Sequence, residues 1–477
     1  MSRFDKYKRL FSNTAILGAG TFASKVLVFL LMPFYTSVLS TAEFGTADLI
    51  AQTANLLIPL AAVGICDGIF RFTLDASEDE AHRKRIFSTG VAILLLGSLL
   101  LVGAVQVIRL FDTLSEYVLL IALYVIAANF HSAFANYLRA EGKTVLFAVQ
   151  GILNTALTIA LNILFLLTFE MGATGYVLSV VVADAAMTVL LFFVARLYRD
   201  FSVRSISRTT AKELLKFSIP YIPTTMLWLI TSVSDRYIVA YYCGESANGL
   251  YAAAYKLPTL LSLVSGVFVE AWHFSTVRDA TDDEKADFFG TVYFHFMGVM
   301  FMGGAFLIAG AKLFTTILLA DSYYSSWEFV PVLVMATVFS TLVSFLGSVY
   351  FLKKKSTLSM LTAMVGALVN IILNFVMIPT HGAMGAAVAT LISYLAVFAV
   401  RAYDTALYLK FPLHYGRLAV NFVLLLAQTA VMLLEVPYWI FLEAGLLLLV
   451  LIFNGKALLL TAVRVFGRFF GKNLKKS

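Results

Sequence analysis

Fourteen apolar stretches, each about twenty residues long, follow one another along this chain with short polar connections between them. A helix of about 20 mainly apolar residues crosses the roughly 30 Å hydrocarbon core of a bilayer. Charged residues make up 13% of the chain, whereas soluble domains carry about 25%. The sequence therefore predicts an all-α, polytopic membrane protein. The predicted spans are 13–39, 45–70, 87–110, 116–138, 144–168, 174–195, 215–241, 248–272, 286–310, 327–351, 357–379, 383–404, 418–435 and 437–460.

The basic residues lie in alternate connections, which predicts an orientation. They gather before the first span, in 72–86, in the 196–216 linker, at 353–355 and in the C-terminal tail. Because cytoplasmic loops of membrane proteins carry the Lys and Arg excess, both termini are predicted to be cytoplasmic. This topology accounts for the net charge of +7, so no nucleic-acid partner is predicted.

Two parts of the chain resemble each other. STAEFGTADLI, after the first span, corresponds to GESANGLYAAAY, after the seventh, at an offset near 204 residues. We therefore predict an N-lobe over 1–200, a C-lobe over 201–410, and two further spans with a basic tail over 411–477. Such parallel repeats are typical of transporters whose site lies between the lobes. Prolines are predicted to interrupt corresponding spans of both lobes, at Pro33, Pro59, Pro220, Pro223 and Pro258.

Charged residues inside spans are costly and therefore informative. Lys25, Arg236 and Lys256 have no opposite charge three or four residues away on their own helix. They predict a central cavity that attracts phosphate or diphosphate. Salt bridges between the lobes, such as Lys25 with Asp235, are the alternative that stays open.

Acidic and amide side chains in the spans have two interpretations as well. Asp184, Asp235 and Asp67 are candidates for a gate or for carrying a coupling proton or cation. Asp67 and Arg71 are also spaced for a structural ion pair. Asn154 and Asn370 either line the cavity and bind sugar hydroxyls or form hydrogen bonds between helices.

The sequence has no Walker A loop, nucleophile elbow or cluster of metal ligands, so it predicts neither an enzyme nor a metal or cofactor site.

Two stretches resemble a known family. They are NTAILGAGTFASKVLVFLLMPFYTSVLSTAEFGTADLI and LLKFSIPYIPTTMLWLITSVSDRYIVAYYCGESANGLYAAAYKLPTLL. They are similar to the Wzx-like polysaccharide-biosynthesis flippases of the MOP (multidrug, oligosaccharidyl-lipid, polysaccharide) exporter superfamily. Lys25 fits the family's basic position in the first span, and Asp235 with Arg236 fits the Asp-Arg pair of the seventh.

The resemblance implies a transporter in a bacterial or archaeal cytoplasmic membrane. Its cargo would be an undecaprenyl-diphosphate-linked oligosaccharide, moved by alternating access for O-antigen (lipopolysaccharide), capsule or exopolysaccharide synthesis. The implied partners are this lipid-linked oligosaccharide, membrane lipids, a polysaccharide polymerase and glycosyltransferases. The alternatives are a lipid II-type flippase, a cation-coupled multidrug exporter of the same superfamily, and a membrane polysaccharide polymerase or ligase.

Overall fold

A computed structural model describes residues 27–455 apart from 28, 77–78, 111, 276–281 and 354. These residues form helices and connections without any strand. The helices are α1 (Met32–Val38), α2 (Thr41–Ala61), α3 (Ile65–Asp75), α4 (Glu80–Ala104), α5 (Val118–Ala140), α6 (Thr144–Ile163), α7 (Gly172–Val194), α8 (Arg208–Ser218), α9 (Tyr221–Cys243), α10 (Glu245–Ser275), α11 (Asp282–Ala309), α12 (Ala311–Leu318), α13 (Val330–Leu352), α14 (Ser356–Thr405), α15 (Tyr415–Leu433) and α16 (Trp439–Gly455).

The predicted fold class is confirmed: the chain is an all-helical, multi-pass membrane protein. Within the described ranges, nine helices are long and apolar enough to cross a membrane, or ten if α2 and α3 form one span. This number is below fourteen for identifiable reasons. The eleventh and twelfth predicted spans are joined in α14, with a break at Gly382 (φ +58°). The seventh, α9, carries Asp235 and Arg236, the fourteenth, α16, is described only to Gly455, and most of the first lies outside the described residues.

The chain divides into two compact units, Met1–Gly249 and Leu250–Ser477. The lobe boundaries predicted at positions 200 and 410 stay predictions.

In the first unit, α5 packs against α2, α3 and α7, and α9 packs against α2. Its core contains Ile50, Ile121, Val125 and Val177, together with many alanines. Small residues let helix backbones approach closely in a membrane.

In the second unit, α13 is the central helix and packs against α11 and α14. It carries no charged residue, and most of its residues are buried, as expected of a helix enclosed by others rather than exposed to lipid. Trp272 and Phe345 stack against each other with ring centres 5.4 Å apart, and Phe268 lies beside them.

The prolines do not all act as predicted. After Pro59, the chain bends by 50° between α2 and α3, where Gly64 takes a left-handed conformation. Pro220 lies between α8 and α9. Pro258, by contrast, lies inside the unbroken helix α10, so the prediction of an interruption there was wrong. A membrane helix tolerates such a proline because neighbouring groups satisfy the freed carbonyl.

Candidate functional site

In the first unit, Arg236 of the predicted Asp-Arg pair binds an acidic side chain on another helix. Arg236 Nη1, on α9, donates to Asp48 Oδ2, on α2, at 2.5 Å. The backbone N–H of Arg236 donates to Asp235 Oδ1 at 2.9 Å. Arg236 and Asp235 are both buried. The Arg236 guanidinium is therefore held in an ion pair between two helices, a pairing of the kind that the sequence left open.

Near this ion pair, α2 and the first turn of α10 cross at close range. Asn248 Nδ2 donates to the Gly45 carbonyl at 2.9 Å, and the Thr41 and Ser246 hydroxyls are 2.6 Å apart. A Cβ atom at Gly45 would collide with the Glu245 carbonyl, and one at Gly249 with the Thr41 carbonyl. Only glycine permits this crossing at both positions.

A second polar network joins α5, α6 and α7 inside the first unit. His131 Nδ1 lies 2.8 Å from Asp184 Oδ1, and its Nε2 lies 2.6 Å from Gln150 Oε1. Asn154 Nδ2 donates to the same Asp184 oxygen at 2.9 Å. Two sequence-predicted residues, Asp184 and Asn154, are thus brought together. His131 and Gln150 were missed because their pairing joins separate helices.

The remaining predicted residues lie elsewhere. Lys256 is half-buried on α10, in the second unit. Asn370 is buried, and its side chain donates to Thr390 Oγ1 at 3.3 Å, joining the two halves of α14. Asn370 thus forms the hydrogen bond between predicted spans that was the alternative to lining a cavity. Lys25 lies outside the described residues.

The prediction of an ion pair between Asp67 and Arg71 was wrong. Arg71 Nη1 instead lies 3.4 Å from Asp75 Oδ1, one turn further along α3. Asp67 and Asp75 are each four residues from Arg71, so the sequence alone could not choose between the two partners. Asp67 itself is exposed.

A cavity of about 370 Å³ in the second unit is lined by seven residues, five of which carry a hydroxyl group. It lies between α10 and α13. The hydroxyl side chains that line it are Ser262, Ser265, Ser340, Thr341 and Ser344. None of the described residues around it carries a charge. The sequence contains a pattern that could have predicted this cavity: Ser262 with Ser265, and Ser340 with Ser344, lie at helical spacing.

Another missed residue is Arg401, which is buried on α14. Its Nη1 donates to the Val343 carbonyl at 2.8 Å and its Nε to Thr362 Oγ1 at 3.0 Å. These bonds connect α13 with both halves of α14 and indicate a structural role.

Comparisons with known proteins identify the family of this chain and solved structures with a similar fold. The profile of the family described as "Polysaccharide biosynthesis protein" matches residues 10–273, more than half of the chain. The chain belongs to the polysaccharide biosynthesis protein family. A search of curated proteins returned no match.

Solved structures with a similar fold include a flippase and a multidrug transporter. The lipid II flippase MurJ in an inward closed conformation has a TM-score of 0.71 at 14% identity, covering 96% of this chain and 99% of that one. An inward-facing multidrug-resistance transporter of the MATE family, in the MOP superfamily, has a TM-score of 0.64 at 15% identity, covering 80% and 95%. At these identities the likeness concerns the fold. The family match confirms the predicted membership among polysaccharide-biosynthesis proteins, and the two structures confirm the predicted MATE-like fold.

Proposed function

We propose that this polysaccharide biosynthesis protein is a flippase for polyprenyl-diphosphate-linked oligosaccharides, supplying O-antigen, capsule or exopolysaccharide assembly. It would act by alternating access in a bacterial or archaeal cytoplasmic membrane, with both termini cytoplasmic. A polysaccharide polymerase and glycosyltransferases would be its partners. The observation that carries the proposal is the hydroxyl-lined cavity between α10 and α13.

This cavity has the chemistry that a neutral sugar requires. A serine or threonine hydroxyl both donates and accepts hydrogen bonds, as a sugar hydroxyl does. A site for cationic drugs would instead require a carboxylate, because a buried charge needs a partner. The lining hydroxyls therefore favour a sugar cargo over a cationic drug.

The diphosphate of such a cargo needs cations, and Arg236 is our candidate together with Lys25 and Lys256. A guanidinium binds phosphate oxygens through two parallel hydrogen bonds. A diphosphate carries more charge than the Asp48 carboxylate that holds Arg236 here, so it can compete for the same donor. We therefore infer that the Asp48–Arg236 pair is a gate that substrate binding opens.

The network around His131 is our candidate for the coupling proton. Asp184 Oδ1 and Gln150 Oε1 are both acceptors, so each ring nitrogen of His131 faces an acceptor. A doubly protonated imidazolium satisfies both contacts, whereas a neutral ring leaves two lone pairs facing each other. Loss of the proton would thus require the Gln150 side-chain amide to turn and present its NH2 group to the ring.

The decisive experiment follows the cargo in cells depleted of this protein. We would measure the amount and the sidedness of polyprenyl-diphosphate-linked glycan in the cytoplasmic membrane. A defined repeat unit that accumulates on the cytoplasmic leaflet supports the proposal and identifies the sugar. If glycan level, sidedness and surface polysaccharide are all normal, the proposal is wrong and drug export becomes the leading alternative.

A further inference from the structure

A second cavity in the second unit has a different character. It is open on one side and has a volume of about 480 Å³, within the range of roughly 300–1,000 Å³ that is usual for small-molecule sites. The side chains around it come from the end of α11, from α12 and from the first two turns of α16. Phe306, Phe314 and Trp439 provide aromatic surface, and one lining residue, Glu443, is acidic.

Glu443 is buried, with 2% of its surface exposed. Its Oε2 accepts a hydrogen bond of 3.0 Å from Gln428 Nε2, which also donates to the Ala305 carbonyl. Its Oε1 is buried and accepts no hydrogen bond from any residue that the structure describes. A buried carboxylate oxygen without a donor is costly, so the site lacks a hydrogen-bond donor.

A lysine of the protein contacts Trp439, one of the residues that line this cavity. Lys312 Nζ lies 4.2 Å from the ring centre of Trp327 and 4.7 Å from that of Trp439. It also pairs with Glu435, at 2.5 Å from Oε1. These contacts fix the Trp439 ring at the edge of the cavity. Lys312 is therefore already engaged beside Trp439, and Glu443 lies about 6 Å further along α16 than Trp439.

We infer that this cavity binds an organic ammonium with an apolar body. The N–H groups of the ammonium would supply the donor that Glu443 Oε1 lacks, and its charge would balance the carboxylate. Aromatic rings attract cations most strongly where water is excluded. Gln428, which holds Glu443 Oε2, lies behind the cavity lining and has a buried Oε1 that accepts no hydrogen bond from the described residues. This inference is independent of the oligosaccharide proposal, which uses other residues.

The test uses the full chain in phosphatidylcholine nanodiscs, because the choline headgroup has no N–H donor. The probes are bromododecylammonium and bromododecanol, whose bromine quenches nearby tryptophan fluorescence. After correction for partitioning into empty nanodiscs, the ammonium should bind about tenfold or more tightly than the alcohol. Trp439→Phe should remove the saturable part of the quenching.

The matched variants are Glu443→Gln and Glu170→Gln. Glu443→Gln keeps the side-chain shape and should abolish the preference for ammonium, whereas Glu170→Gln neutralises an exposed acid of the first unit and should preserve it. Equal binding of the two probes to the unmodified protein would overturn the inference without requiring any variant to fold. Retention of the preference in Glu443→Gln would overturn it as well.

A third arm identifies the source of the ammonium. Nanodiscs of phosphatidylethanolamine contain a lipid whose headgroup is a primary ammonium. If the lipid is the natural ligand, the affinity for bromododecylammonium should fall about tenfold or more in these nanodiscs. Unchanged affinity there, with the preference for ammonium retained, assigns the site to a free lipophilic amine.

Discussion

Gly45 and Gly249 hold equivalent positions in the two repeats, 204 residues apart, and each lies against the turn that precedes the other. Gly45 contacts the Glu245 carbonyl, and Gly249 contacts the Thr41 carbonyl. The two contacts are reciprocal, as in an isologous interface with two-fold symmetry. The sequence repeat therefore corresponds to a local pseudo-two-fold axis between the starts of α2 and α10.

Gly249→Ala should open this crossing. An added methyl group in a packed contact costs about 1–3 kcal/mol, equivalent to a population shift of roughly five- to 150-fold. The measurement is disulfide formation between Thr41→Cys and Ser246→Cys, whose native hydroxyls are 2.6 Å apart, in a background without Cys66 and Cys243. Cross-linking should be efficient with Gly249 and should fall sharply with alanine.

The control for this crossing is Gly151→Ala, because a Cβ there would meet no atom within 4 Å. This variant should cross-link as the parent protein does. Unchanged cross-linking in Gly249→Ala would show that the two helices accommodate the added methyl group without moving apart.

The Asp48–Arg236 pair gives a second prediction. Arg236→Ala should reduce the amount of folded protein, because removing one partner of a buried ion pair costs about 3–5 kcal/mol. The double variant Asp48→Asn with Arg236→Gln should restore abundance and still fail to export glycan. Abundance in the membrane and surface polysaccharide are the two measurements.

Arg71→Ala is the comparison for this ion pair. The pair that it breaks, with Asp75, has more than half of each side chain exposed, so abundance should change little. Normal export by the double variant would show that Arg236 has a purely structural role.

The third prediction concerns His131. In proteoliposomes, His131→Asn should transport at a rate that no longer responds to a pH gradient, because asparagine cannot exchange the proton that His131 shares with Asp184. His381→Asn changes an exposed histidine and should respond to the gradient as the parent does. An intact response in His131→Asn would remove this residue from the coupling mechanism.

The fourth prediction tests the hydroxyl-lined cavity. Replacing Ser340 and Ser344 together with alanine removes two hydroxyl groups at about the cost of one to two hydrogen bonds. Glycan affinity should fall by roughly five- to fiftyfold, with unchanged protein abundance. Ser98→Ala, on α4, removes a hydroxyl that bonds only within its own helix and is the control. Equal affinity in both variants would exclude this cavity as the sugar site.

The fifth prediction concerns pH and stability in the linker after α7. Burial raises the pKa of Asp200, the nearby Glu141 raises it further, and Lys143, Lys84 and Arg83 partly offset this. A carboxyl whose pKa is raised on folding stabilises the fold below its unfolded pKa and loses that contribution as pH rises through the folded value. Asp200→Asn should therefore melt at a higher temperature than the parent at neutral pH.

For Asp200, the difference in melting temperature should disappear in acid, where the parent carboxyl is protonated. Asp75→Asn, at an exposed carboxylate, should show no such gain. A lower melting temperature of Asp200→Asn at neutral pH would contradict the prediction.

Much of the fold was predictable because span formation depends on local composition. All fourteen predicted spans overlap helices that the structure describes, including the first, of which α1 is the described part. Arg236 was also predictable as a buried charge, since few charges occur inside spans. Its partner was not, because Asp48 lies 188 residues earlier in the chain. Glu443 and Arg401 were overlooked although both lie within predicted spans.

The sequence by itself determined that this chain crosses a membrane repeatedly, which orientation its charges favour, and that its two halves are related. These properties follow from apolar content summed over about twenty residues and from the charge of the connections. Only the tertiary structure decided the partners: Arg236 with Asp48, His131 with Asp184 and Gln150, and Gly45 with the turn before Gly249. The physical reason is that such contacts join different helices, so their geometry depends on packing between segments that are distant in the chain.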